Sequence, residues 1–174
     1  MFANPKQNVA KLGLQEGMKV ADFGAGTGFY VKALSEKVGH TGRVYAIEVQ
    51  KDMVKKLEHD LKEWGITNVE CIWGDIENES GTKLADNSMD AVVISNVLFQ
   101  ASDKLGLIDE AKRITKQGGK ILLIDWQESY SGMGPAPIHV ISEKSAKELF
   151  LNRGFKKAES IPHSDHHYGI IFEY

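Results

Sequence analysis

Three glycines fall at alternate positions, Gly24, Gly26 and Gly28, in the stretch VADFGAGTGFY (residues 20–30). Glycine tolerates backbone angles closed to other residues and lets a ligand approach the main chain. A loop of this kind after a strand therefore points to a bound nucleotide or nucleoside. The dinucleotide fingerprint G-x-G-x-x-G would put its third glycine where this chain has Phe29. That glycine serves close helix–strand packing around a pyrophosphate, so its absence argues against a nicotinamide dinucleotide. The spacing G-x-G-x-G suits a zwitterionic amino-acid tail better than a diphosphate. Two acids extend the pattern. Glu48 closes the next strand-like run, VYAIE, where its two oxygens can accept from both hydroxyls of a ribose. Asp75 follows the third such run, in WGDIE, positioned to accept from an exocyclic adenine amine. A glycine loop alone is weak evidence. A glycine loop and two acids at the ends of three successive strands form a specific combination.

A second set of residues could handle an acceptor and its proton. Four of the six histidines, His139, His163, His166 and His167, lie in the C-terminal part of the chain. Imidazole is a base suited to neutral pH. Tyr30 after the glycine loop, Phe99 after the fourth strand, and Asp125 with Trp126 at the end of the fifth share the same predicted sheet edge. His139 and His167, with Asp125, are the candidate catalytic groups; Tyr30, Phe99, Trp126, His163 and His166 are candidate acceptor contacts. Each has a plainer reading. Tyr30 and Phe99 could pack against helices, Trp126 could cover the sheet edge, and Asp125 could cap the SGMGPAP loop. A polar PHSDHH loop is commonly just solvated. Asp165 could join the histidines around a metal, but no established ligand spacing is present and no metal is expected.

The elements that must position these groups alternate. Asn4 followed by Pro5 marks an N-cap and first helical residue, with a short helix to about Lys11. Buried strands are expected in GMKVADFG, GRVYAIEV, NVECIWGD, NSMDAVVIS and KILLIDW. Between them lie a helix from Thr27 to Val38, an amphipathic helix in QKDMVKKLEHDLKEWG with Met53, Val54, Leu57, Leu61 and Trp64 on one face, and a helix capped by Ser102 with Leu105, Ile108, Ala111 and Ile114 inside. Ser142 caps a last helix ending near Gly154, and FKKAESI and HYGIIFEY follow as two strands. Strand–helix alternation implies a mostly parallel sheet covered on both faces. The short link between the last two strands requires an antiparallel pair. No linker divides the 174 residues, so a single domain, 1–174, is expected, with 1–17 as a short N-terminal helical segment.

Composition sets bounds. A net charge of -3 is no footprint for nucleic acid, although a local patch remains open. One cysteine, Cys71, permits no internal disulfide and fits a reducing compartment. The N-terminus lacks the apolar core of a signal peptide and no apolar run reaches membrane-spanning length, so a cytoplasmic location is expected.

The motifs VADFGAGTGFY, VYAIE and GDIE, together with DNSMDAVVISNVLFQ and ITKQGGKILLIDW, resemble the successive motifs of class I S-adenosylmethionine-dependent methyltransferases over nearly the whole chain. The likeness is to small single-domain bacterial and archaeal members. It implies an α/β Rossmann-like fold: a seven-stranded, mostly parallel sheet of order 3-2-1-4-5-7-6, strand 7 antiparallel, with helices on both faces. It implies S-adenosyl-L-methionine as cofactor. Gly24, Gly26 and Gly28 would lie under its methionine part, Glu48 and Val49 at the ribose, Asp75 and Ile76 at the adenine, and Asn96 near the amino-acid end. Asp22 would orient the loop, and Thr27 would begin a helix whose N-terminus favours the cofactor carboxylate. The chain lacks the Pro-Pro-aromatic motif of nucleobase amino-methyltransferases, having SNVLF instead, and lacks a cysteine where pyrimidine carbon-5 enzymes carry their nucleophile. The expected activity is methyl transfer to a small-molecule acceptor. The alternatives are a catalytically silent S-adenosylmethionine-binding subunit or sensor, or an RNA or protein methyltransferase that needs a docked partner.

Overall fold

The structure, a computed structural model, describes residues 4–130, 134–162 and 166–174. His163 and Asp165 lie outside the described residues. The elements run α1 (Pro5–Lys11), β1 (Lys19–Phe23), α2 (Val31–Val38), β2 (Arg43–Glu48), α3 (Lys51–Glu63), β3 (Val69–Trp73), β4 (Met89–Ser95), α4 (Lys104–Ile114), β5 (Thr115–Trp126), a 3-10 turn (Pro137–His139), α5 (Glu143–Asn152), β6 (Lys157–Ile161) and β7 (His167–Glu173). They form one seven-stranded sheet of order β3-β2-β1-β4-β5-β7-β6, with β7 antiparallel to both its neighbours and the other pairings parallel. This is the class I order expected from the motifs.

Side chains along a strand alternate between faces, and the central strands use both. Val92 and Ile94 of β4, with Ile121 and Leu123 of β5, join the core under α4 and α5, where Phe150 stacks on Phe172 at 4.1 Å. Ala91, Val93, Leu122 and Ile124 point the other way, into the core under α1 and α2. The near-continuous apolar runs of these strands follow from burial on both faces. Their polar exceptions are therefore confined to the strand ends. Asp22 shares the register row of Val93, and Asp125 that of Tyr168.

Several helix boundaries differ from those read in the sequence. The helix expected from Thr27 begins at Val31, because Gly26 and Gly28 hold positive φ (52° and 79°) and residues 26–30 form turns. Asp103, not Ser102, caps α4, accepting from the Gly106 amide at 2.8 Å; Leu107 is then buried and Leu105 exposed. The fifth strand starts at Thr115, so Gly118 and Gly119 lie inside it, beside a register shift between Met89 and Ala91. Asn4 and Ser142 cap α1 and α5 as expected.

One polar cluster fixes the long connection between β3 and β4. The Glu110 side chain, fully buried on α4, accepts from the amides of Ser80 and Thr82, the Thr82 hydroxyl and the Arg113 guanidinium. Arg113 also binds Asp86 and the Leu84 carbonyl. Burial raises the Glu110 pKa, but Arg113 and the Thr82 and Ser80 donors more than offset it, and the net shift is downward. A depressed acid contributes stability that is present above its unfolded pKa and lost as pH falls through the folded value. Glu110→Ala is expected to destabilise the fold by about 3–5 kcal/mol, the scale of breaking a buried ion pair. In urea melts, the gap between wild type and Glu110→Ala should narrow on acidification below the ordinary glutamate range; a gap that does not change with pH would refute the charged role.

Candidate functional site

The carboxyl ends of β1, β2 and β3 enclose a cavity of about 390 Å³. Gly24 and Gly26 form one wall, Glu48, Val49 and Gln50 the next, Gly74 to Glu77 the third, and Val97, Gln100 and Ala101 close it from the turn after β4. Each wall is built by local geometry. Gly24 holds φ 68°, and a β-carbon there would come within 2.6 Å of the Val97 side chain. Gly26 holds φ 52° and meets nothing nearer than the Gly24 carbonyl at 3.8 Å, so a side chain would project into open space at the cavity. Glu48 is buried, and its two oxygens accept from the Gly26 amide at 3.1 Å and the Gln50 amide at 2.9 Å. Asp75 accepts from the Glu77 amide at 3.0 Å and the Asn78 side chain at 2.6 Å. Both carboxylates are thus oriented by backbone donors and keep lone pairs for further hydrogen bonds.

The residues present fit an adenosyl cofactor. A glycine-walled floor, an acid at each of the next two strand ends and apolar Ile47, Met53, Ile76 and Val97 supply the surfaces that an amino-acid tail, a ribose and an adenine need. Of the expected cofactor contacts, Gly24, Gly26, Glu48, Val49, Asp75 and Ile76 line the cavity. The other four lie elsewhere. Gly28 packs against α3, where a β-carbon would sit 2.6 Å from Leu57, so its lack of a side chain serves helix packing. Thr27 is exposed and starts no helix. Asn96, at φ 57°, buries its side-chain oxygen without a hydrogen-bond partner. Asp22 lies buried beneath the loop; burial, then Glu48, push its pKa up to about 7. Sequence reasoning missed Gln50, Met53, Gln100 and Ala101 as wall residues. Met53 had been assigned to the inner face of its helix, and the placement of that face one turn after Glu48 was the available signal.

The acceptor-side residues also sort themselves. Tyr30 is buried, and its hydroxyl accepts from the Asn8 side chain of α1 at 2.9 Å; burial raises its pKa to about 12. It joins the N-terminal helix to the loop. Asp125 is completely buried and accepts from the Phe99 and Trp126 amides at 3.0 and 2.8 Å. It anchors the turn after β4 through the Phe99 amide, and burial raises its pKa to about 6. His167 is buried with its ring 4.1 Å from that of Trp126. A β-carbon on Gly134 would meet the Trp126 ring at 2.7 Å, so Gly134 lies against that indole. His139 sits exposed on the 3-10 turn, and Phe99 is half-buried. His166 bonds Glu128 at 2.7 Å and stacks on Tyr130 with centroids 3.7 Å apart. Among the described residues, no group of three or more potential ligands could hold a metal ion, and no helix is long and apolar enough to cross a membrane.

Comparison with known proteins agrees with this geometry. The family described as a methyltransferase domain matches residues 14–160. Demethylmenaquinone methyltransferase of Anoxybacillus flavithermus is 31% identical over 120 residues, covering 69% of this chain and 49% of that protein. The enzyme of that name from Geobacillus stearothermophilus is 34% identical over 114 residues, 66% of this chain and 47% of its own length. The chain thus spans about half the length of these curated relatives. A crystal structure of a SAM-dependent methyltransferase from Aquifex aeolicus superposes with a TM-score of 0.90 at 30% identity, covering 99% of this chain and 90% of that one. The crystal structure of a putative type 11 methyltransferase from Sulfolobus solfataricus superposes with a TM-score of 0.79 at 25% identity, covering 99% of this chain and 92% of that one. With the strand order, the glycine-walled cavity and the match over residues 14–160 in agreement, the chain belongs to the methyltransferase-domain family and has the class I fold of S-adenosylmethionine-dependent methyltransferases.

Proposed function

We propose that this chain transfers a methyl group from S-adenosylmethionine to a small-molecule acceptor. The observation that carries the proposal is the single cavity at the ends of β1, β2 and β3, in which Gly24, Gly26, Glu48 and Asp75 converge. The cofactor supplies an activated methyl group whose departure leaves a neutral thioether. The protein's own task is to hold donor and acceptor in line and to receive any proton the acceptor loses. Glu48 and Asp75 bind through oxygens already oriented by backbone amides. The turn 97–101, tied to Asp125 through the Phe99 amide, closes one side of the cavity.

The names of the relatives make reduced demethylmenaquinone the first acceptor to test. Formation of S-adenosylhomocysteine with this acceptor, and its absence without acceptor, is the expected result. Tight cofactor binding without turnover on it or on a panel of phenols, thiols and amines would instead favour a silent cofactor-binding subunit.

Glu48→Ala is expected to weaken S-adenosylmethionine binding by about 1.5–3 kcal/mol, the range for hydrogen bonds to a charged group. Calorimetry that shows unchanged affinity, or comparable affinity for NAD, would overturn the assignment. Gly26→Val should abolish binding and leave the fold mostly intact, because its side chain would enter open cavity space and its stability loss is confined to the strained φ. Gly24→Val should lower the melting temperature further, since its β-carbon also overlaps Val97. Equal stability losses in the two variants would count against this division of roles.

The raised pKa of Asp22 has a defined consequence for stability. Its folded value, about 7, exceeds the model-peptide value of 3.8, so the folded chain retains a proton that the unfolded chain releases. Stability therefore falls as pH rises between these values. Asp22→Asn should raise the melting temperature of the ligand-free protein at pH 8, with the gain shrinking toward pH 5. A gain independent of pH would show that Asp22 is not protonated in the fold.

A further inference from the structure

Beyond the cofactor cavity, one pair of side chains combines the chemistry and exposure of a proton acceptor. His166 and Glu128 meet where the β5–β7 pairing ends. The Gln127 amide donates to the His166 carbonyl at 3.0 Å, which pins the residue just past the Trp126–His167 pair. The His166 Nδ1 lies 2.7 Å from Glu128 Oε1, and the ring is stacked on Tyr130 at an interplanar angle of 24°. The His166 side chain remains about 25% exposed. A carboxylate at Nδ1 keeps the proton of the neutral ring on that nitrogen, which leaves the lone pair on Nε2. The stacked tyrosine restricts ring rotation. An oriented imidazole with one basic nitrogen directed away from its anchoring carboxylate is the arrangement general-base catalysis requires.

The position also connects with the cofactor site. Asp125, three residues before Glu128, accepts from the Phe99 amide, and the turn containing Phe99 supplies Val97, Gln100 and Ala101 to the cavity wall. Two other described histidines of the C-terminal part are placed differently. His167 is buried against Trp126, and His139 lies on an exposed turn.

We propose that His166 is the general base for the acceptor and that Glu128 is its positioning residue. The assignment rests on the methyltransferase reading above. As the acceptor atom forms its bond to the methyl carbon, the carbon–sulfur bond breaks and its electron pair goes to sulfur. The acceptor's proton passes to His166 Nε2, and Glu128 stabilises the resulting imidazolium through Nδ1–H. The acceptor therefore belongs to the class that carries an ionisable proton at or conjugated with the accepting atom, such as a hydroxyaromatic ring or a thiol. A tertiary amine, with no proton to lose, is excluded.

The test uses the full chain with labelled S-adenosylmethionine and, as acceptors, reduced demethylmenaquinone, 1,4-dihydroxynaphthalene, an aryl thiol and a tertiary amine. Wild type is expected to methylate at least one proton-bearing acceptor and not the amine. His166→Ala should lose roughly 100- to 10,000-fold in rate, retain cofactor affinity, and recover in part with added imidazole. Glu128→Gln should lose less than His166→Ala and retain cofactor affinity. Nitrogen-15 spectra of the histidine rings should show neutral His166 as the Nδ1–H tautomer in wild type, with that preference weakened in Glu128→Gln. An unchanged rate in His166→Ala, an Nε2–H tautomer in wild type, or a tautomer preference unchanged in Glu128→Gln overturns the assignment. If wild type binds S-adenosylmethionine but methylates none of the proton-bearing acceptors, the methyltransferase reading fails for this acceptor class and the base assignment falls with it.

Discussion

The hydrogen bond from the Gly26 amide to Glu48 is the contact on which the cofactor site depends. Without it, the loop after β1 and the end of β2 would be two independent surface features. With it, a backbone donor from the loop and the Gln50 amide at the start of the next connection share one carboxylate. The loop can reach Glu48 only because Gly24 and Gly26 adopt positive φ, the first of them pressed against Val97. The carboxylate in turn stays buried because it is satisfied by amides, which offsets the cost of removing a charge from water. Neighbouring Asp22 lacks that degree of compensation, and burial raises its pKa as a result.

The sheet explains why these acids stand where they do. Apolar residues fill both faces of β1, β4 and β5, so a charged side chain is tolerated only where a strand ends and backbone amides become available. Glu48 and Asp125 follow this rule on strands on either side of the central pair. Glu48 accepts from the loops around the cavity, and Asp125 accepts from the turn that closes it. The result is that the cavity walls are braced by carboxylate–amide contacts at both ends of its span. Glu110 does the same for the connection after β3, although it works from a helix.

Much of this was legible in the sequence, for identifiable reasons. Strand positions followed from short apolar runs, and the order followed from motifs that match a known family. Gly24, Gly26, Glu48 and Asp75 line the cavity as their types and spacing at three successive strand ends led one to expect. Gly28 fitted the same spacing but serves Leu57 packing, a contact between residues 29 positions apart that no local pattern records. Thr27 failed as a helix start because two glycines with positive φ consume the turn that propensity alone would have made helical. Ser102 and Asp103 are adjacent, and either could cap; the Gly106 amide falls to Asp103.

The acceptor side was the least legible because it depends on pairings between distant segments. His166, Glu128 and Tyr130 share no spacing rule; they meet because β7 runs antiparallel to β5 and brings residue 166 back over residue 127. Antiparallel return also explains the division between adjacent histidines. Successive residues at the strand end face opposite ways, so His167 turns inward against Trp126 while His166 turns outward to Glu128 and Tyr130. A one-residue slip in that pairing would exchange the two environments. The register of β7, fixed by Ile170 and Phe172 in the apolar core, is therefore what selects which imidazole is buried and which is left partly exposed.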